Sequence, residues 1–134
     1  MARRQTEPRW LNRLVDDAIH AAQIRQHGGL AGLREETVLE AALARPQQKW
    51  AHDEEPDLAV LAAAYAFGLV RNHPYRDGNK RIGFLALVTF LGINDHNFDA
   101  TDEDIVSTML ALADGSLSEP ALALWIRGHL GRAR

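Results

Sequence analysis

Residues 58–70 read LAVLAAAYAFGLV, the most apolar stretch of the chain. Its alanines and single glycine leave little side-chain bulk on any face, which is typical of a helix that neighbours contact on all sides. At 13 residues it is well short of the roughly 18 that a membrane span requires. We therefore predict a central buried helix with Asp57 as its N-cap. It should end near Asn72, because Pro74 disfavours helical geometry in the residue before it.

The segments on either side of this helix also show helical periodicity. Helices are predicted over residues 10–27, 35–44, 79–91, 101–114 and 118–130, with Gly28 as a left-handed C-cap and Thr101 and Ser118 as N-caps. The apolar stripe of the first comprises Trp10, Leu11, Leu14, Val15, Ala18 and Ile19. Pro46 is expected to close the second, and residues 93–100 are expected to hold at most a short strand. The prediction is an all-α fold, a compact bundle of about six helices.

The composition fits one folded domain over residues 1–134. The chain is 46% hydrophobic and 25% charged, and at this length one core buries enough surface without disulfides. The absence of cysteine excludes a disulfide framework and thiolate metal sites, and no signal or membrane segment is evident, so a cytoplasmic location is expected. The net charge of −3 gives no overall signature of nucleic-acid binding. The arginine-rich residues 1–9 are expected to form a solvated basic tail.

Between two apolar helices lies the sequence HPYRDGNKR, residues 73–81. It places imidazole, carboxylate, carboxamide, ammonium and guanidinium groups directly before and within the start of a predicted helix. The free N–H groups and positive dipole end of that helix favour an anion, and Gly78 allows a ligand to approach the backbone closely. Lys80 and Arg81 supply charged donors suited to phosphate oxygens. The segment therefore predicts a phosphate site.

Two further residues of this segment add reactive groups. Asp77 is the one acid of the loop and can hold Mg²⁺ against phosphate oxygens, and His73 can take a proton from an attacking hydroxyl. Together these groups indicate transfer of a phosphate-containing group. The alternative interpretation is structural: Asp77 and Asn79 cap a helix, His73 packs against it and the basic side chains are solvated. The concentration of such residues in one loop favours the first interpretation.

The segment resembles the motif HPFx(D/E)GNxxR of the Fic/Doc superfamily, and its Lys80-Arg81 pair is similar to the death-on-curing (Doc) branch. Further similarity to Doc-type toxins is found at His20, at GGL (residues 28–30) with Gly32, and at LEAAL (residues 39–43). The resemblance spans nearly the whole chain. It implies a compact helical fold in which the motif loop and the following helix form the active site.

Carried over by position, the resemblance implies a role for each motif residue. His73 would be the base and Asp77 the Mg²⁺ ligand, and the phosphates of ATP would be bound by Gly78, Asn79, Lys80 and Arg81. Arg71 would support the loop. The Tyr75 ring would pack as the family's usual Phe does, with a hydroxyl that needs water or a partner. Residues 47–56 would form the family's flap, a loop or small hairpin that orients the protein substrate.

The resemblance leaves two reactions open. Doc proteins transfer phosphate, with elongation factor Tu as the target, whereas Fic proteins transfer AMP to a protein hydroxyl. Lys80 stands where Fic transferases usually have glycine, which favours phosphate transfer. Translation would be inhibited as a result.

The resemblance also implies a partner, an antitoxin whose disordered tail folds as a helix on the toxin. DNA would then be reached only indirectly, through the antitoxin. Self-inhibiting Fic proteins carry a Glu followed by Gly or Asn, a pair that this sequence lacks. A catalytically idle co-repressor that acts with the antitoxin is the alternative from a different functional class.

Overall fold

The computed structural model describes residues 6–52 and 56–132, most of which lie in six α-helices. The elements in chain order are α1 (Arg13–His27), α2 (Glu36–His52), α3 (Leu58–Asn72), α4 (Asn79–Ile93), β1 (His96–Phe98), α5 (Asp102–Asp114), α6 (Glu119–Gly128) and β2 (Leu130–Arg132). Helix α3 lies at the centre, in contact with α2, α4, α5 and α6, and α1 packs on α4. The predicted all-α fold is confirmed.

The small residues of α3 and α4 let these helices pack closely. The side chains of residues 61–66 are completely buried. A Cβ atom at Gly68 would lie 3.2 Å from both Cα and Cβ of Ala42 in α2, and a Cβ atom at Gly83 of α4 would overlap Val70 Cγ2 of α3. Glycine at these two positions therefore sets the distances of α2 and α4 from the central helix.

The predicted N-caps are confirmed. The side chain of Asp57 accepts from Val60 N at 2.9 Å, that of Thr101 from Asp104 N, and that of Ser118 from Ala121 N. Each satisfies one of the backbone donors that a helix start leaves unpaired. Gly28 is the C-cap of α1, as predicted, and its φ of 80° favours glycine, but its ψ of −178° lies outside the left-handed helical region that was expected.

Helix α2 continues past its predicted end, which corrects the prediction of a flap over residues 47–56. Residues 47–52 belong to the helix, residues 53–55 lie outside the described chain, and Pro56 is buried. Pro46 has no N–H to donate to Ala42 O, which should weaken the helix. Pro46 is nevertheless buried, and Ala42 lies at the close contact with Gly68. Packing against α3 outweighs the lost hydrogen bond.

Helix α1 presents a different face to the protein from the one predicted. It begins at Arg13, with Asn12 as N-cap, rather than at Trp10. Leu14 of the predicted apolar stripe is 80% exposed, whereas Asp16 and His20 are buried. The buried face of α1 is therefore partly polar.

The described part of the predicted basic tail is not a free arm. Arg9 N donates to Asn94 Oδ1 at 2.8 Å, and Asn94 Nδ2 donates to Arg9 O at 3.0 Å. These bonds hold residues next to α1 against the C-terminal end of α4. Residues 1–5 lie outside the described chain.

The short strand expected within residues 93–100 is present. Strand β1 pairs with β2 in antiparallel register, with Phe98 opposite Leu130. In residues 6–52 and 56–132, no helix has the length and apolar character needed to cross a membrane.

Replacing Gly83 with alanine tests the close packing of α3 and α4. The added Cβ overlaps the buried Val70 side chain, so we expect the free energy of unfolding to fall by about 1–3 kcal/mol. Gly92→Ala in the same helix is the matched control, because no atom lies within 4 Å of a Cβ there. It should raise stability by up to about 1 kcal/mol through helix propensity. Urea unfolding measures both changes, and equal stability of the two variants would contradict the packing argument.

Candidate active site

The motif residues 73–81 run from the C-terminal end of α3 to the first turn of α4. Two residues of the loop have left-handed backbone conformations: His73, the C-cap of α3, with φ 49° and ψ 57°, and Gly78, the N-cap of α4, with φ 76°. The first conformation is uncommon for a residue with a Cβ, whereas glycine adopts the second readily. The two bends reverse the chain between the two helices and leave the His73 side chain exposed.

The buried Asn79 side chain holds the loop closed. Its Oδ1 accepts from Tyr75 N at 3.1 Å, and its Nδ2 donates to Tyr75 O at 3.0 Å. Only 8% of Asn79 is exposed. Its carboxamide is thus engaged within the loop, and what it offers to a ligand in front of the helix is its backbone N–H.

Tyr75 joins the loop to α1. Its ring stacks on the His20 ring, with centroids 3.8 Å apart and planes within 10° of parallel. Its hydroxyl lies 2.7 Å from Asp16 Oδ2 and 2.8 Å from Asp17 Oδ1. Burial and the two nearby carboxylates raise the pKa of Tyr75, so the hydroxyl stays protonated. The hydroxyl was expected to need water or a partner, and Asp16 and Asp17 of α1 are that partner.

Asp77 is held by backbone donors from two segments. Its carboxylate accepts from Gly78 N at 2.9 Å and from Leu30 N at 3.3 Å, and these bonds hold the pKa of Asp77 below its usual value. Gly29 leaves the space for this contact, since a Cβ there would lie 2.7 Å from Asp77 Oδ2. The backbone carbonyl of Asp77 accepts from His20 Nε2 at 2.8 Å. The carboxylate is therefore ionised, exposed and fixed in position.

Helix α4 begins without a side-chain cap, unlike α1, α3, α5 and α6. Its first intrahelical hydrogen bond runs from Ile82 N to Gly78 O at 2.9 Å, so the N–H groups of residues 79–81 precede the hydrogen-bonded ladder. The side chains of Lys80 and Arg81 are exposed on the same turn. The first turn thus combines unpaired backbone donors, the positive end of the helix dipole and two cations, as an anion requires.

Among residues 6–52 and 56–132 no group of three acidic or histidine side chains is placed to hold a metal ion. Mg²⁺ does not need such a cage, because it is commonly bound through one or two carboxylates together with substrate phosphates. Asp77 fits that mode, since its ionised carboxylate is exposed directly before the first turn of α4 and each oxygen keeps a lone pair.

The structure places Arg71 away from the loop that it was predicted to support. Its guanidinium lies 5.7 Å from the centre of the Phe67 ring and beside Gly115, the C-cap of α5. The loop is supported instead by Arg34, which donates to the carbonyls of Asn72 and His73. No local sequence pattern marks Arg34 for this role, because the contact depends on how residues 28–35 pack against the loop.

A largely apolar cleft adjoins the first turn of α4. Its volume is about 330 Å³, and it lies between α1, α4 and α5. Its lining comprises Gln23, His27, Lys80, Arg81, Phe84, Leu85, Ile105, Val106, Met109 and Leu110. Val106 and Leu110 are 58% and 51% exposed, so an apolar surface continues directly from the candidate phosphate site.

The arrangement of loop, helix start and supporting segments agrees with the comparison of the sequence with known families. Residues 12–91, more than half of the chain, match the Fic/DOC family. The chain belongs to the Fic/Doc family. The matched region begins at the N-cap of α1 and ends within α4, so it contains every residue that holds the motif loop.

Two characterised relatives are similar to this Fic/Doc protein over most of its length. "Protein kinase doc" of Escherichia phage P1 is 31% identical over 117 residues, which cover 87% of this chain and 91% of the relative. "Toxin Doc" of Mycolicibacterium smegmatis is 36% identical over 114 residues, which cover 81% of this chain and 87% of the relative. Each relative therefore matches more than four fifths of this chain, and both bear the name Doc.

The buried Asp16 should make folding stability depend on pH. Burial raises its pKa from 3.8 to about 6, and its Oδ1 has no hydrogen-bond partner in the described residues. Because the folded-state pKa is the higher one, Asp16 favours folding below pH 4 and loses this contribution as the pH rises through about 6. The loss amounts to about 3 kcal/mol.

Asp16→Asn removes the ionisation and keeps a group that can bond the Tyr75 hydroxyl. The stability of the native chain, measured by urea unfolding from pH 4 to pH 7.5, should fall relative to that of the variant. Parallel pH profiles would contradict the assignment to Asp16.

Proposed function

We propose that this Fic/Doc protein is a toxin that transfers the terminal phosphate of ATP to a hydroxyl of a protein of the translation machinery, with elongation factor Tu as the expected target. The observation that carries the proposal is the first turn of α4. It has no side-chain cap and is flanked by Lys80 and Arg81, with His73 and Asp77 in the loop that precedes it. In this proposal ATP binds at that turn, His73 acts as the base and Asp77 holds the metal ion.

His73 is the proposed base. Its imidazole is exposed at the end of the loop nearest α3, where a protein substrate can reach it. It takes the proton of the target hydroxyl while the hydroxyl oxygen attacks the terminal phosphorus. The new P–O bond replaces the bond to the bridging oxygen, and ADP leaves. Imidazole suits this step because a ring nitrogen can accept the proton of the hydroxyl and later release it.

The phosphate-binding residues act by position and charge. The N–H groups of residues 79–81 and the side chains of Lys80 and Arg81 bind the phosphate oxygens, and Gly78 adds no side chain in front of them. The carboxamide of Asn79 acts indirectly by holding Tyr75 and thus the loop.

Asp77 is the residue that would hold Mg²⁺ together with ATP. When bound, Mg²⁺ neutralises negative charge on the phosphates and orients them. The chain prepares for it by keeping the carboxylate ionised through the N–H groups of Gly78 and Leu30.

Phosphate transfer is preferred here to AMP transfer for two reasons. Lys80 occupies a position where Fic transferases usually have glycine, so a charged side chain alters the surface on which ATP lies. In addition, one relative that covers most of this chain bears the name of a protein kinase.

Intact mass spectrometry of elongation factor Tu after incubation with this protein, ATP and Mg²⁺ tests the proposal. We expect a gain of one phosphate, about 80 Da, and no gain with His73→Ala or after chelation of Mg²⁺. A gain of about 329 Da would instead establish AMP transfer. An unmodified target would exclude elongation factor Tu, and labelled ATP in cell lysate would then show whether any protein receives phosphate.

We further propose that an antitoxin restrains this toxin by placing an amphipathic helix in the cleft between α1, α4 and α5. The cleft is apolar, open and continuous with Lys80 and Arg81, so a helix bound there with acidic residues would also obstruct the phosphate site. A helix-in-groove contact of this kind suits a tail that folds on binding.

Leu110→Glu tests this docking site. The charge should prevent neutralisation by the antitoxin and leave phosphate transfer intact, because Leu110 is exposed on α5 and outside the motif. Leu124→Glu is the matched control, since Leu124 is 66% exposed on α6 and does not line the cleft. Transfer is measured with and without the co-expressed antitoxin. Equal neutralisation of both variants would place the antitoxin elsewhere.

A further inference from the structure

Three consecutive backbone carbonyls at the start of the motif loop accept hydrogen bonds from one residue, Arg34. Its Nη2 donates to Asn72 O at 2.8 Å and its Nε to His73 O at 2.6 Å. Its backbone N–H donates to Pro74 O at 2.7 Å. The carbonyl of the candidate base, and those before and after it, are thus bound by a residue that lies outside the motif.

The backbone at His73 needs such support. Its left-handed conformation, with φ 49° and ψ 57°, is disfavoured for a residue with a Cβ. It also lies at the end of α3, where the last carbonyls have no donor within the helix, and the following Pro74 has no N–H to offer. Among the described residues, the carbonyls of Asn72 and His73 have no hydrogen-bond donor other than Arg34.

A guanidinium is well suited to this place. Its planar fork presents two parallel donors that reach two neighbouring carbonyls at once, and its positive charge lies at the negative end of the α3 dipole. Backbone hydrogen bonds on both sides of Arg34 fix the position from which its side chain extends. Glu35 N also donates to Pro74 O at 3.1 Å, and Arg76 N donates to Gly32 O at 3.1 Å. Residues 32–35 are therefore paired with residues 74–76 on both sides of Arg34.

We infer that Arg34 is a positioning residue, which holds His73 in the backbone conformation from which the imidazole serves phosphate transfer. The inference rests on the proposed role of His73 as base. Arg34 bonds the α3 end of the loop, whereas the phosphate-binding groups lie at the α4 end. Its loss should therefore slow the chemical step and leave ATP binding unchanged.

Steady-state kinetics of the full-length chain test the inference. Arg34→Ala should lower kcat by tenfold or more with KM for ATP unchanged within twofold, and Arg34→Lys should recover part of the rate, because one ammonium cannot bond both carbonyls as a fork does. Arg25→Ala is the matched control, an exposed arginine of α1, and should retain the native kcat. Thermal unfolding of each variant identifies the temperature range in which all are folded.

A second measurement does not depend on activity. The ring Cε1–Hε1 resonance of His73, assigned by its loss in His73→Ala, should shift or broaden in Arg34→Ala and stay in place in Arg25→Ala. A purely structural role would lower the unfolding temperature without changing kcat in the folded range, and that result overturns the inference. So would a raised KM for ATP at native kcat. If the native chain transfers no phosphate, the proposed function fails, and an unmoved His73 resonance in Arg34→Ala then overturns the inference independently.

Discussion

The close contact of α3 with α4 is the constraint on which the site depends. Glycine at position 83 lets the two helices lie together, and the chain must then reverse direction within residues 73–78. So short a connection requires left-handed bends at His73 and Gly78, and the Asn79 carboxamide closes the loop across them. The loop reaches the surface with part of its residues, His73 and Asp77 among them, because it joins the ends of buried helices. Its shape follows from the packing beneath it.

The face of α1 behind the loop is partly polar although it lies in the interior of a small bundle. Apolar packing would be more stable there, yet Asp16 and His20 are buried and Leu14 faces solvent. Asp16 forms a hydrogen bond with the Tyr75 hydroxyl, and His20 forms one with the backbone carbonyl of Asp77. The Tyr75 hydroxyl has one proton and can donate it to only one of the two carboxylates, Asp16 or Asp17. A proton on one carboxylate would reduce the repulsion between them, which agrees with the raised pKa of Asp16. Stability is given up here to fix the loop.

Local chemistry and periodicity were sufficient to predict the helices, the caps at Asp57, Thr101 and Ser118, and the position of the motif at a helix start. The failures have tertiary causes. Pro46 was expected to end a helix, but it is buried within α2, the helix that packs against α3. Leu14 was expected to be buried, but the buried face of α1 carries Asp16 and His20, which bond the loop. Arg34 was missed because a contact between residues 39 positions apart leaves no trace in local sequence.

The residues of the loop form a buried group, which holds the loop in place, and an exposed group, which can meet a ligand. Pro74, Tyr75 and Asn79 are buried, and the latter two make hydrogen bonds that fix the loop. His73, Asp77, Lys80 and Arg81 are exposed and carry the groups that can act on a ligand. A change in the first group must be matched by a change in its surroundings, as the hydroxyl of Tyr75 is matched by the acids of α1. A change at a buried position of the motif can therefore be accommodated by the residues packed around it, whereas the exposed positions are those at which a ligand can meet a side chain.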